Sequence, residues 1–562
     1  MKTPMANAAI YLNPEAYNTN QNTLMGRHSA GESFLRGYIR HAMADTYYFW
    51  NVANQPITKM DEFVGRIEKV TKPVRWIQRG GLEQLGEPGV AYIPTPNLAK
   101  QSWWRHQTGS SVYGLCGVTH TTASNDIMDA ISNIQLAPVE RWDSLICTSR
   151  AVRAATETQL EATRDYLSHR LGAKIHNQPI LDTIPLGINS DEFAFSADSR
   201  KKWRDELDIP ADAIVALYVG RFNVQAKMNP VPMALAMEAA AKRLDKPLYW
   251  VMSGWAGDEK YADTYHGETR KACPSVQYRI VDGRRPEVRF SIWSVADFFL
   301  SLSDNIQETY GLTPLEAMAA KLPCVVSDWD GYRESVRDKR DGFRIATYSP
   351  RAGMGRDLAY RYAHGWDSYS HYIGAASQMT AVDIGASAEA IYQLATQPDL
   401  RKRMGDAAQK QAQSALDWKV IIPRYQALWA EQNRVRLAAV KAQIPRNTDE
   451  DPWRLDPFRL FASYPTEWLT PYTMVALTPG MTWETAKTRL TGALANFTPQ
   501  MLPTLAEMEA LYAALAAQPQ ALATDLVSGF PANRRNFMER SLIWFAKYGV
   551  ARINGISDRI PN

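Results

Sequence analysis

From about residue 210 onward, short apolar runs alternate with helical stretches, and this rhythm restricts the fold more than any other feature of the chain. The runs are Ile214 to Val219, Leu248 to Met252, Val276 to Val281, Ala296 to Leu300 and Cys324 to Ser327. They are rich in β-branched and aromatic residues, as strands are. Strands that are apolar on both faces need helices on both faces, which predicts a parallel, doubly wound sheet. The segment from about 8 to 190 repeats the theme less regularly. Strands are expected there at Ala8 to Leu12, Val74 to Ile77, Val90 to Ile93 and Ser144 to Thr148, with a further short run from Thr183 to Gly187.

A chain of 562 residues exceeds one ordinary core. The expected architecture is α/β, with two Rossmann-like doubly wound domains over 1–189 and 190–411 and a small, mainly helical domain over 453–562. The stretch 410 to 440, with Trp418, Tyr425 and Trp429, reads as one long amphipathic helix, and the charged segment from Pro445 to Pro452 as a linker.

Composition narrows the classes of function. With 45% hydrophobic and 22% charged residues the chain is neither disordered nor fibrous. A net charge of +4 demands no nucleic-acid or acidic-membrane partner. Cys116, Cys147, Cys273 and Cys324 are scattered, with no metal-ligand spacing, so free thiols packed as small core residues and a cytoplasmic setting are expected. The N-terminus shows no basic start followed by an apolar stretch, and no eighteen apolar residues run together, so neither a secretory signal nor a membrane span is expected. Peripheral attachment at the inner membrane face stays open. The aromatic clusters Tyr47 to Trp50 and Trp103-Trp104 could serve it, or else fill a core or interface.

The segment from Asp304 to Met318 follows the strand Ala296 to Leu300 and precedes a helix, and ligands of open α/β sheets bind outside such strand ends. Thr313 suits the N-cap of that helix and Pro314 its first position. Gly311 permits close backbone approach, and the first-turn amides attract phosphate. Glu308 on the loop and Glu316 on the helix can accept hydroxyl hydrogens from two rings, or they are a solvated loop residue and a helix-dipole partner. Upstream, Arg221 follows the strand ending at Val219, and Lys227 lies six positions further on. Two cations on one loop can balance a diphosphate.

The words around these residues are specific. Gln307-Glu308-Thr309-Tyr310-Gly311-Leu312-Thr313-Pro314-Leu315-Glu316-Ala317-Met318, then Pro323-Cys324-Val325-Val326 and Asp341-Gly342-Phe343, resemble the signature of family 4 retaining glycosyltransferases of the GT-B fold. Gly220-Arg221 with Lys227 resembles that family's Gly-Arg-x(5)-Lys element, and Ile184-Pro185-Leu186-Gly187-Ile188-Asn189 its passage into the second domain. The chain has Thr309-Tyr310 for the usual Gly-Phe pair and Lys321 where glycine is common.

The resemblance implies a donor site for a nucleoside diphosphate sugar, UDP- or GDP-linked, as co-substrate, with no resident cofactor. Arg221 and Lys227 would contact the diphosphate. Glu308, Tyr310, Gly311, Leu312, Thr313 and Glu316 would line the sugar and ribose, and Asp282-Gly283 would hold the base through backbone groups. It also places Gly31, within Met25 to Phe34, in a glycine loop facing the phosphate, and His120 beside the reacting carbon. A lone histidine after a strand is also a common structural residue. The implied reaction moves a sugar to a carbohydrate or lipid-linked acceptor with retention of configuration, as in polysaccharide biosynthesis. Asp328-Trp329-Asp330 has the look of a metal-binding pair, but it falls inside the family's Ser-Asp-x-x-Gly segment, where no metal is held. A closing helix over about 412–440 would return to the first domain.

The C-terminal extension resembles a winged-helix ending from Phe530 to Val550. From Asp451 onward it has ten Lys/Arg against nine Asp/Glu, a net of +1, too little for phosphate binding. A protein contact or self-association is the reading there, beside that of a merely stabilising appendage. Two other readings of the whole remain: an inactive GT-B scaffold, and a sugar-nucleotide epimerase.

Overall fold

The computed structural model describes residues 7–18, 26–175, 177–441 and 451–553. It forms two compact units, Met1–Asp449 and Glu450–Asn562. The first contains two wholly parallel sheets. One has seven strands: β1 (Ala9–Leu12), β2 (Tyr47–Asn51), β3 (Val74–Gln78), β4 (Val90–Ile93), β5 (Gly114–Val118), β6 (Ser144–Cys147) and β7 (Ile180–Thr183), in the order β3-β2-β1-β4-β5-β6-β7. The other has six: β8 (Ile214–Val219), β9 (Leu248–Gly254), β10 (Gln277–Asp282), β11 (Phe298–Ser301), β12 (Cys324–Ser327) and β13 (Gly342–Ile345), in the order β10-β9-β8-β11-β12-β13. Both orders reverse direction after their third strand, leaving a crevice beyond the ends of β1 and β4 in one sheet and of β8 and β11 in the other.

Central strands are buried along their length: every residue of β4, β5, β6, β9, β11 and β12 is buried. This is why they read as continuous apolar runs. The aromatic run Tyr47 to Trp50 belongs to β2, with Tyr47, Phe49 and Trp50 fully buried. It is a core strand and not a membrane-facing patch, because a two-face-buried strand needs large side chains on both sides. All four cysteines are free and buried.

The long helix expected over 410 to 440 is two helices, Pro398–Ala415 and Trp418–Lys441. The ladder breaks because backbone groups at the junction pair elsewhere: Ile188 donates to the Leu416 carbonyl at 3.0 Å, and Trp418 donates to the Ile188 carbonyl at 3.0 Å. Asp417 then accepts from both the amide and hydroxyl of Ser190, at 3.0 and 2.5 Å. Gly37 and Gly187 clasp the Trp418 ring, where a Cβ would lie 2.4 and 2.7 Å from its atoms. Beyond this junction Trp418 and Tyr425 pack on Phe34, and Trp429 on Tyr92, so the second helix lies on the seven-stranded lobe.

Between β14 (Thr347–Tyr348) and β15 (Ala381–Val382), which pair antiparallel, the chain makes two helices, Arg356–Ala363 and Tyr369–Gln378. In the second unit β16 (Met474–Leu477) pairs antiparallel with β17 (Ala521–Leu522) and β18 (Ala551–Ile553). Helices Trp483–Thr491, Leu505–Ala516 and Arg535–Lys547 bury Leu490, Met508, Leu511, Leu542 and Phe545 against this sheet. Thr504 and Glu507 form a capping box on the middle helix. The linker residues Pro445 to Glu450 lie outside the described residues.

Candidate functional site

The crevice of the six-stranded sheet lies where β8 and β11 end, and the cation loop and the carboxylate loop leave from those two strands. The cation loop is stiffened locally. Asn223 Oδ1 accepts from the amides of Gln225 and Ala226 at 3.0 and 2.8 Å, a side chain mimicking a turn. Asn305 on the carboxylate loop then donates to the Gln225 carbonyl at 2.5 Å and caps its own loop through the Gln307 amide at 2.9 Å. The two loops are thereby fixed to each other. Between them Lys227 Nζ meets Glu308 Oε2 at 2.9 Å, with the carboxylate largely buried. Arg221, half-buried on the same loop, pairs with no carboxylate among the described residues.

The seven-stranded lobe reaches this site through Thr309, whose hydroxyl donates to the His120 carbonyl at 2.9 Å. His120 therefore stands beside Glu308 although 188 positions separate them in sequence. The two-helix segment after β14 walls one side. Its Ser377 donates to Asp304 at 2.6 Å, and burial pushes the Asp304 carboxyl up to about 7. From the other lobe the Asn125 amide donates to the Tyr362 hydroxyl at 3.0 Å.

Glu316 lies on the short helix Thr313–Ala319, and burial pushes its carboxyl up to about 7 against the opposing charges of Arg289 and then Lys227. The cap of this helix differs from expectation. Leu312 occupies the cap position with no side-chain bond, Thr313 is the first helical residue, and Pro314 follows. Among the described residues the amides of Gly311, Leu312 and Thr313 donate to no other group, so they stay open. Tyr310 is buried, and its hydroxyl has no partner among the described residues.

Gly311 has φ +75°, and a Cβ there would lie 2.1 Å from the Tyr332 ring. Gly311→Ala is therefore expected to cost about 1–3 kcal/mol through overpacking and left-handed strain, seen as a lowered unfolding midpoint. A midpoint equal to wild type would contradict this account of the loop.

One expected contributor sits differently. Gly31 is the sixth residue of the helix Gly26–His41 and not part of a loop; a Cβ there would lie 2.3 Å from the Ala16 carbonyl oxygen. Its missing side chain serves the approach of two helices, and Met25 lies outside the described residues. The Asp282 carboxylate binds Arg284 at 2.8 Å, which holds it below the usual carboxylate range, while Gly283 packs on Gly254. Asp328 faces Arg344 at 3.5 Å, and Asp330 accepts from Ser149 across the lobes at 2.5 Å. Among the described residues no three His, Cys, Asp or Glu side chains gather to hold a metal. Asn305, Asp304 and Arg289, which sequence reasoning passed over, carry no local pattern that marks them; only their partners do.

Residues 199–353 match the model of the family described as Glycosyl transferases group 1. The match takes in little more than a quarter of the chain. The matched segment holds every residue of the β8 and β11 loops described above. The chain is 27% identical over 191 residues to D-inositol 3-phosphate glycosyltransferase of Corynebacterium aurimucosum, covering 34% of this chain and 44% of that protein. It is 22% identical over 237 residues to spore coat protein SA of Bacillus subtilis, covering 42% and 53%. The chain thus spans only about half the length of the curated relatives it matches. Among solved structures it is similar to a glycosyltransferase of Rickettsia africae, at 13% identity and TM-score 0.46, covering 76% of this chain and 98% of that one. It is also similar to Anabaena HepE solved with UDP and glucose, at 13% identity and TM-score 0.45, covering 78% and 100%. No helix among the described residues is long and apolar enough to cross a membrane.

Proposed function

We propose that the chain is a retaining glycosyltransferase that moves a sugar from a nucleoside diphosphate sugar to a hydroxyl of a carbohydrate or lipid-linked acceptor. The observation that carries this reading is the Lys227–Glu308 pair at 2.9 Å in the switch-point crevice, with Arg221 on the same loop and open amides at Gly311 to Thr313. Cations and amides so arranged suit a departing diphosphate, and preorganised charges of this kind contribute most where charge develops. Glu308 would accept from the sugar and Glu316 from the ribose. His120 would stand at the sugar's reacting face. By the family resemblance, the departing phosphate would help take the acceptor's proton on the same face.

Glu316 accepts hydroxyl hydrogens fully only when ionised. Its raised carboxyl, at about 7, means that donor binding is expected to be complete in mildly alkaline solution and to fall as pH drops through about 7. The test is a thermal-shift screen of UDP-, GDP- and ADP-sugars. Saturating donor at about 100 times Kd adds about 2.7 kcal/mol by mass action. Glu316→Ala and Lys227→Ala are expected to abolish the shift while the unliganded chain still folds. A shift that survives in both would remove the site from the reading.

A further inference from the structure

The turn 328–331, which follows β12, touches the carboxylate loop at two points. The Trp329 indole donates to the Asn305 carbonyl at 3.0 Å, the same oxygen that accepts the Glu308 amide at 3.1 Å. On the far side of Glu308, Gly331 packs on the backbone of Tyr310, where a Cβ would lie 2.4 Å from its Cα. The turn thus braces the loop before and after the carboxylate that it carries. Between Trp329 and Gly331, Asp330 takes a left-handed backbone, φ +38°, which a side chain holds at a cost. Its carboxylate accepts from the Ser149 hydroxyl of the seven-stranded lobe at 2.5 Å. Beside it the Arg150 amide donates to Glu334, on the short helix Tyr332–Ser335 that follows the turn. Ser149 lies two residues beyond β6, and His120 two residues beyond β5. Those two strand ends are tied, since the Thr119 hydroxyl oxygen accepts from the Thr148 amide at 3.2 Å.

We propose that Trp329 and Asp330 are positioning residues, which hold Glu308 of one lobe in register with His120 of the other. Thr309 reaches the His120 carbonyl directly, at 2.9 Å, and Asp330 reaches the neighbouring strand end through Ser149. A loop held at one point can pivot about it, and the second contact restricts that freedom. That Glu308 grips a sugar at this place rests on the donor reading above; the tie itself does not. Arg221, Lys227 and the open amides of Gly311 to Thr313 belong to the six-stranded lobe, and none of them bonds to Ser149. Loss of the Asp330 contact is therefore expected to spare donor binding and to spoil the placement of the sugar against the other lobe.

The test uses the full chain. Asp330→Gly accepts the left-handed turn and deletes the carboxylate, whereas Asp330→Asn keeps an oxygen for Ser149. With UDP-glucose as donor and water standing in for the acceptor, Asp330→Gly is expected to keep Kd within about threefold and to lower the kcat of hydrolysis about 10- to 100-fold, as a misplaced reacting group does. Asp330→Asn should restore most of that turnover, which a residue that merely stabilises the fold would not require. Amide exchange read by mass spectrometry needs no substrate. The Gln307 and Glu308 amides bond within the loop to Asn305. They are expected to exchange at least about tenfold faster in Asp330→Gly, and in Trp329→Phe, which lacks the indole donor. Exchange unchanged in both variants would overturn the proposal, as would a loss of turnover that Asp330→Asn fails to restore. Should Asp330→Gly fail to fold, Ser149→Ala removes the same bond from the other lobe and carries the same measurements. If wild type neither binds nor hydrolyses UDP-glucose, the reading of this donor fails and exchange alone decides the tie.

Discussion

Lys227→Ala is expected to lower sugar transfer about 100- to 1,000-fold, the cost of removing one preorganised group aimed at developing charge. Lys227 lies 2.9 Å from Glu308 and is only partly exposed, so no neighbour or water shell substitutes for it readily. Removing it also leaves Glu308 enclosed without its cation. Glu308→Gln keeps the shape of that side chain and leaves Lys227 uncompensated. Steady-state kinetics over a range of donor concentrations would read both effects: Lys227→Ala should raise the donor KM, as its loss of donor binding requires, and lower kcat as well, and Glu308→Gln should likewise act on both. Loss confined to KM in Lys227→Ala would show that the lysine binds ground state and transition state equally.

Asp143→Ala carries the largest expected effect on stability. Arg105 and Asp143 are fully buried and pair through Arg105 Nη2 and Asp143 Oδ2 at 2.9 Å. The carboxylate also accepts from the amides of Leu115 and Glu140, each at 2.8 Å. The guanidinium donates to the carbonyls of Tyr113 and Pro138, each at 3.0 Å. Each charge is thus met by the other and by backbone, Arg105 Nε alone of these groups lacking a partner among the described residues, and removing one charge strands the other in a dry interior at about 3–5 kcal/mol. Urea unfolding would measure the loss. The double replacement Arg105→Met with Asp143→Leu should recover much of it, because no unpaired charge then remains. A loss below about 1 kcal/mol for Asp143→Ala alone would contradict this description. Since Leu115 belongs to β5, the strand that leads to His120, the variant should impair the site as well as the fold.

Legibility varied with how far apart the cooperating residues lie. The strands of the six-stranded sheet were readable because burial on both faces forces a continuous apolar run, as in β8, β9, β11 and β12. β2 escaped notice because its aromatic content fits a surface cluster equally well, and only its place beside β1 shows it to be core. β13 was hidden inside the motif Asp341-Gly342-Phe343. Arg221, Lys227, Glu308 and Glu316 stood out because they sit on two short loops of characteristic wording. Gly31 misled because helix packing and phosphate approach make the same demand, a missing Cβ. The break at Leu416-Asp417 had no local signal, since the groups that interrupt the helix come from Ile188 and Ser190.

By itself the sequence determined the class of fold, the strands β8 to β12, and the two loops on which the cations and carboxylates lie. Those features follow from periodicity and from residue types within a few positions of one another. Tertiary structure alone decided that Thr309 finds the His120 carbonyl, that Arg289 finds Glu32, and that Trp418 settles between two glycines. Local pattern records which side of an element must leave water. It does not record which distant group will be there to meet it, and that choice is made only when the whole interior packs at once.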